Sequence, residues 1–148
     1  MRFSLRQLVL AIVLFGIVGL EIELAFLKHA DSLAKWIPHV CLLVGLVITI
    51  AAYLSPRRPV LRTFQGIMVI YLLVGALGVY FHLRGNIEFA IERDPSLSGL
   101  KLFWKALRGA TPALAPGALA QLGLLGLLYT YGHPSLKPAN TPERNDVD

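Results

Sequence analysis

Imidazole and carboxylate groups are the side chains in this sequence best equipped for chemistry, and they are few: 4 His and 9 Asp and Glu in 148 residues. His29, His39 and His82 are candidate metal ligands. Neutral imidazole binds zinc, copper or iron, and imidazoles from two helices can hold a haem iron on its two axial sides. Glu21, Glu23, Asp31, Glu88 and Glu92 add carboxylates to the same region of the molecule. Glu21 and Glu23 sit in an apolar stretch, and an ionisable group inside such a stretch is by default a candidate for proton coupling. Two positions on a helix differ by about 200° of rotation, so the two acids cannot face one site. Glu21 and Lys28 lie two turns apart on one face and could form a polar stripe.

The spacing of these groups fits no familiar motif. The sequence contains no His-x-x-x-His, no Cys-x-x-Cys and no Cys-x-x-Cys-His. It also lacks a P-loop, Gly-x-Gly-x-x-Gly, Gly-x-Ser-x-Gly and His-Glu-x-x-His. A single cysteine, Cys41, excludes an internal disulfide framework and a cysteine zinc cage. Within its apolar run Cys41 reads as a small filler, and His133, between Gly132 and Pro134, as a helix terminator. No cofactor is predicted, a metal or haem on the three histidines being the alternative.

The elements that must position these groups follow from where charge is missing. The chain is 55% apolar and 16% charged, against about 45–50% and 25% in an ordinary soluble domain. That balance excludes a disordered chain, and the length suits one domain. Trp36–Pro56, Thr63–Phe81 and Gly109–Leu136 hold no Asp, Glu, Lys or Arg, nor does Gln7–Leu20, whose apolar run continues to Leu27 across Glu21 and Glu23. A helix needs about 20 mostly apolar residues to cross a bilayer. Barrel strands would alternate, and these runs do not. The pattern predicts an all-α integral membrane four-helix bundle occupying residues 1–133, with spans near 5–27, 37–55, 62–83 and 112–131. Arg2 and Arg6 before Leu8–Leu20 resemble a secretory signal, but no Ala-x-Ala follows, so an uncleaved first helix is the better reading.

Four spans place both termini on one side. Lys and Arg then divide evenly, seven to each side: Arg2, Arg6, Arg57, Arg58, Arg62, Lys137 and Arg144 against Lys28, Lys35, Arg84, Arg93, Lys101, Lys105 and Arg108. The arginines before the first span and the tight Ser55–Arg62 loop favour termini in the cytoplasm, in a bacterial-type inner membrane. The cations are accounted for by topology and anionic headgroups, so nucleic acid is not an expected partner. Residues 134–148 read as a disordered polar tail.

Between the third and fourth spans, residues 86–108 predict an amphipathic interfacial helical segment. Asn86 is a candidate cap for a short helix over Ile87–Arg93, and Asp94-Pro95 reads as a second helix start. Leu97, Leu100, Trp104 and Leu107 then recur at helical spacing, with Lys101, Lys105 and Arg108 on another face. Lys101, Trp104, Lys105 and Arg108 are the candidate docking residues, for a membrane surface or a protein partner. Pro116 predicts a bent entry to the fourth span. Gly117, Ala120, Gly123 and Gly126 approximate a small-residue packing ridge.

Residues 19–28 loosely resemble the first helix of the small multidrug transporters, which are also short four-helix proteins with a glutamate there. The likeness covers ten residues of 148, and the acids here lie toward the helix end. The Arg84–Thr111 segment is also longer than such transporters carry between spans, so no family is assigned. The sequence thus predicts a small membrane protein without catalytic motifs, a structural or accessory subunit of a membrane complex or a homo-oligomer. The alternatives are a metal- or haem-binding redox component and a small oligomeric proton-coupled transporter using Glu21.

Overall fold

A computed structural model describes residues 4–26 and 33–137, with the side chains of residues 33–35 left undescribed. Among the described residues there are five α-helices: α1 (Leu5–Phe26), α2 (Leu33–Leu54), α3 (Arg58–Arg93), α4 (Gly99–Leu107) and α5 (Gly117–Thr130). A single 3-10 turn follows at Pro134–Leu136. α1, α2 and α3 are long and apolar enough to cross a membrane, whereas α5, equally apolar, has 14 residues. The extensive contacts run α1–α2, α2–α3, α3–α5 and α5–α1, closing a ring, while α4 packs on α3.

Local sequence explains most boundaries. Ser55-Pro56-Arg57 separates α2 from α3, and Pro59 sits in the first turn of α3, where its missing N–H costs nothing. α2 reaches back to Leu33, four residues before the expected start, with Pro38 inside it. Pro38 removes one hydrogen bond close to the helix start, where few bonds lie upstream to be disturbed. Residues 112–116 form turns bonded over three residues, such as Ala115 N–H to the Pro112 carbonyl, and α5 proper begins at Gly117. The bent entry expected from Pro116 is therefore present, and the regular helix is shorter than the expected 112–131.

Three expectations in the outer segment are corrected. α3 runs unbroken for 36 residues through Gly85 and Asn86, where the sequence suggested an end near 83 and an Asn86 cap. Asn86 is 3% exposed and spends its amide on other elements instead. Asp94 closes α3 and accepts from the Ser96 N–H and hydroxyl; those bonds hold its carboxyl below the usual range. α4 accordingly starts later, after Ser98. The expected disordered tail begins with the ordered Pro134–Leu136 turn; residues 138–148 lie outside the described residues.

The core repeats at three, four or seven residues on α1, α2, α3 and α5: Leu10, Val13 and Ile17; Leu42, Thr49 and Ala52; Leu61, Phe64, Met68 and Tyr71; Leu119, Leu122 and Tyr129. α3 and α5 meet backbone to backbone. A Cβ on Gly75 would lie 2.5 Å from the Ala120 nitrogen, and one on Gly123 would lie 2.5 Å from the Met68 carbonyl. At the other end Arg6 donates to the Tyr131 and Gly132 carbonyls at 3.1 and 3.0 Å, closing the C-terminus of α5 with a cation. Burial, with the Arg6 charge, holds His133 below the ordinary imidazole range. Its Nδ1 therefore stays free to accept the Ser135 N–H.

Two alanine substitutions separate packing from helix propensity. Gly75→Ala is expected to cost about 1–3 kcal/mol, because the new methyl meets backbone that cannot step aside. Gly66→Ala meets nothing within 4 Å, and is expected to leave stability unchanged or raise it by up to about 1 kcal/mol. Thermal denaturation of both variants in one detergent checks the pair; equal effects would refute the close α3–α5 contact.

Candidate functional site

The end of the molecule where α1 finishes and α2 begins collects the polar groups. Glu21 lies in the last turns of α1 and His39 in the second turn of α2. Because these helices are antiparallel neighbours, the two side chains meet. His39 Nδ1 is 2.8 Å from Glu21 Oε1, with the imidazole 8% and the carboxylate side chain 29% exposed. One proton sits on this bond in any state that preserves it. The Trp36 ring packs against the imidazole with centroids 5.5 Å apart. The outer atoms, His39 Nε2 and Glu21 Oε2, are buried with no hydrogen-bond partner among the described residues. The bond joins a proton donor and a proton acceptor across the seam between α1 and α2.

The 200° between Glu21 and Glu23 separates two sites. Glu23 points away from the pair and lines an open-sided cavity of about 310 Å³, bounded by α1, α2, α3 and the turn that precedes α5. His82 of α3 and Thr111 line the same space. His39 and His82 are thus allotted to different places, and His29 lies outside the described residues. No group of three His, Cys, Asp or Glu side chains able to hold a metal occurs among the described residues. Glu21 takes His39 as partner; Lys28, its expected stripe neighbour, lies outside the described residues.

A third polar centre was not legible in the sequence. The Asn86 amide donates to the Ala106 carbonyl at 2.9 Å and the Thr111 carbonyl at 2.6 Å. Its oxygen accepts from the Thr111 N–H at 3.2 Å and hydroxyl at 2.8 Å. Gly109 lies flat against this amide, where a Cβ would collide with it. One side chain thus ties the end of α4 and the start of the α5 entry to α3. The only signal was an Asn in an otherwise continuous helical stretch, which reads equally well as a cap.

With α4 held this way, its exposed side is defined. Lys101, Trp104, Lys105 and Arg108 all face outward, and the Arg108 guanidinium lies 6.0 Å above the Trp104 ring. The expected apolar face divides: Leu97 and Leu107 are half-buried, whereas Leu100, 70% exposed, and Phe103 and Trp104 face outward, and Ala106 is the buried contact. Comparison of the chain with protein-family models, characterised proteins and solved structures finds no match.

Asn86→Asp replaces both donors with acceptors and turns a carboxylate toward two carbonyls. It is expected to cost about 2 kcal/mol or more and to free α4, so that trypsin cleaves at Lys101, Lys105 and Arg108 faster than in the parent protein. Unchanged cleavage rates would show that other contacts hold α4.

Proposed function

We propose that this chain is a four-span integral membrane protein that acts as an accessory or structural subunit of a membrane complex. The membrane placement rests on the outward side chains of the long helices: Phe15, Val47 and Leu73 are among many large apolar groups facing away from the core. The fourth crossing is assigned to residues 112–131. α5 spans about 21 Å at 1.5 Å per residue, and the Pro112–Pro116 turns supply the remaining depth. α3, about 54 Å long by the same rise, extends beyond a hydrocarbon core of about 30 Å. Its outer turns carry Arg84, Glu88, Glu92 and Arg93. Arg57, Arg58 and Arg62, at the turn before α3 and in its first turns, support placing that face in the cytoplasm of a bacterial-type inner membrane.

The observation that carries the subunit reading is the α4 face. A helix pinned to the fold by a buried asparagine displays Leu100, Phe103 and Trp104 beside three cations, an arrangement suited to being covered. Extraction in mild detergent, followed by native gel electrophoresis, tests it. The chain is expected to migrate in a larger assembly that Lys101→Glu, Trp104→Ala and Arg108→Glu together release. A parent protein that runs as a lone, fully active species would overturn the reading.

The Glu21–His39 pair favours a second reading, a proton-coupled carrier. Glu21→Gln would then abolish acidification-driven uptake of protons into liposomes containing the protein, followed with an entrapped pH dye, at unchanged protein content. Identical traces for Glu21→Gln and the parent chain would reject it.

A further inference from the structure

Rotation about each helix from its packing contact defines one lateral side of the molecule. Gly75 meets Ala120 and Met68 meets Gly123, so α3 and α5 run antiparallel. Asn86 bonds Ala106 across the Asp94–Ser98 turn, so α3 and α4 do the same. Between antiparallel helices, equal rotations in one sense point to the same side. On α3, Leu73 lies about 140° around from Met68, and Ile91 about 140° around from Asn86. On α5, Leu124 and Gln121 lie about 100° and 160° around from Gly123. On α4, Phe103 and Leu100 lie about 60° and 120° around from the buried Ala106. All six side chains are exposed on that common side.

This side is apolar where water would bathe it and polar where lipid would. Gln121 stands nine residues past Pro112 and ten before Tyr131, in the middle of the fourth crossing. Its amide makes no hydrogen bond among the described residues, and an unpaired amide in hydrocarbon is costly. Its neighbour Ala120 is level with Gly75. From Gly75 to Ile91, α3 rises about 24 Å, more than the roughly 15 Å from bilayer centre to headgroups. Ile91 and, beside it, Leu100 therefore stand beyond the hydrocarbon. Lipid covers neither these side chains nor the polar atoms of the amide, whereas one long protein helix covers both.

We propose that this side seats a membrane-spanning helix of another protein, one that continues past the outer headgroups and carries a hydrogen-bonding side chain at the depth of Gln121. The proposal rests on the subunit reading above and names the face and the kind of partner. Gln121 fixes the register, as a lone polar residue does in a helix–helix seam. Ile91, Leu100 and Phe103 hold the outer extension. A second copy does not meet the amide. Paired through this side about a two-fold axis along the membrane normal, α5 of one copy would face α3 of the other. Near that depth α3 presents Leu73 and Ala76 there, neither with a hydrogen-bonding side chain.

Photoreactive benzoylphenylalanine at Leu124, at Leu100 or, as a control, at the exposed Val47 of α2, activated in native membranes containing the full chain, tests the proposal. Leu124 and Leu100 are expected to crosslink to one protein other than this chain. The Leu124 contact should map inside an apolar membrane-spanning segment, and the Leu100 contact to the continuation of that segment. Val47 should miss it. Gln121→Leu, an apolar change at an exposed position that does not threaten folding, should weaken the assembly about threefold or more, read on native gels across a detergent dilution series. Crosslinks from Leu124 and Leu100 to different proteins or to a second copy, an equal crosslink from Val47, or an assembly indifferent to Gln121→Leu would overturn this proposal alone. Absence of any larger assembly would overturn the subunit reading with it.

Discussion

Where Gly75 and Gly123 remove side chains, α3 and α5 touch through their backbones, and the position of every later element descends from that approach. A methyl at either glycine would lie 2.5 Å from the opposing nitrogen or carbonyl and would force α5 away from α3. Its start at Gly117 then puts the Pro112–Pro116 turn beside Gly78 and brings Thr111 within reach of Asn86. Its end puts the Tyr131 and Gly132 carbonyls under Arg6 of α1. The ring of helices is closed at one end by a cation on a helix C-terminus and at the other by an asparagine amide. The asparagine amide is buried, so each of its bonds left unmade would carry the full desolvation cost.

The outer face is divided into two stations by helix geometry. Two acids two residues apart cannot share a direction, so α1 sends Glu21 into the seam with α2 and Glu23 into the cavity beside α3. The first finds an imidazole and is hydrogen-bonded to it in the seam. The second stays exposed at the edge of the cavity. Close sequence spacing of like residues here produces separation of roles.

Much of this was legible from residue types. The all-helical character and the long apolar helices follow from charge-free runs and helical spacing, whereas the sequence set Trp104 and the cations of α4 on different faces and the structure exposes both. The gathering of Glu21, His39, Glu23 and His82 at one end follows from antiparallel order. Asn86 was misread because an asparagine after a glycine favours a helix start on local grounds, and only partners 20 and 25 residues away make it a latch. Asp94-Pro95 likewise looked like a helix start, and the carboxylate instead holds Ser96 in a turn after α3.

The sequence by itself determined which segments are apolar, how long they run and where charge is allowed, since the cost of removing charge from water and the periodicity of a helix act locally. The partners of the polar groups were decided by the tertiary structure alone. His39 for Glu21, Thr111 and Ala106 for Asn86, and the turn before α5 as the wall facing Glu23 depend on which helices become neighbours. That adjacency is set by close packing at a few glycines, and no single segment carries it.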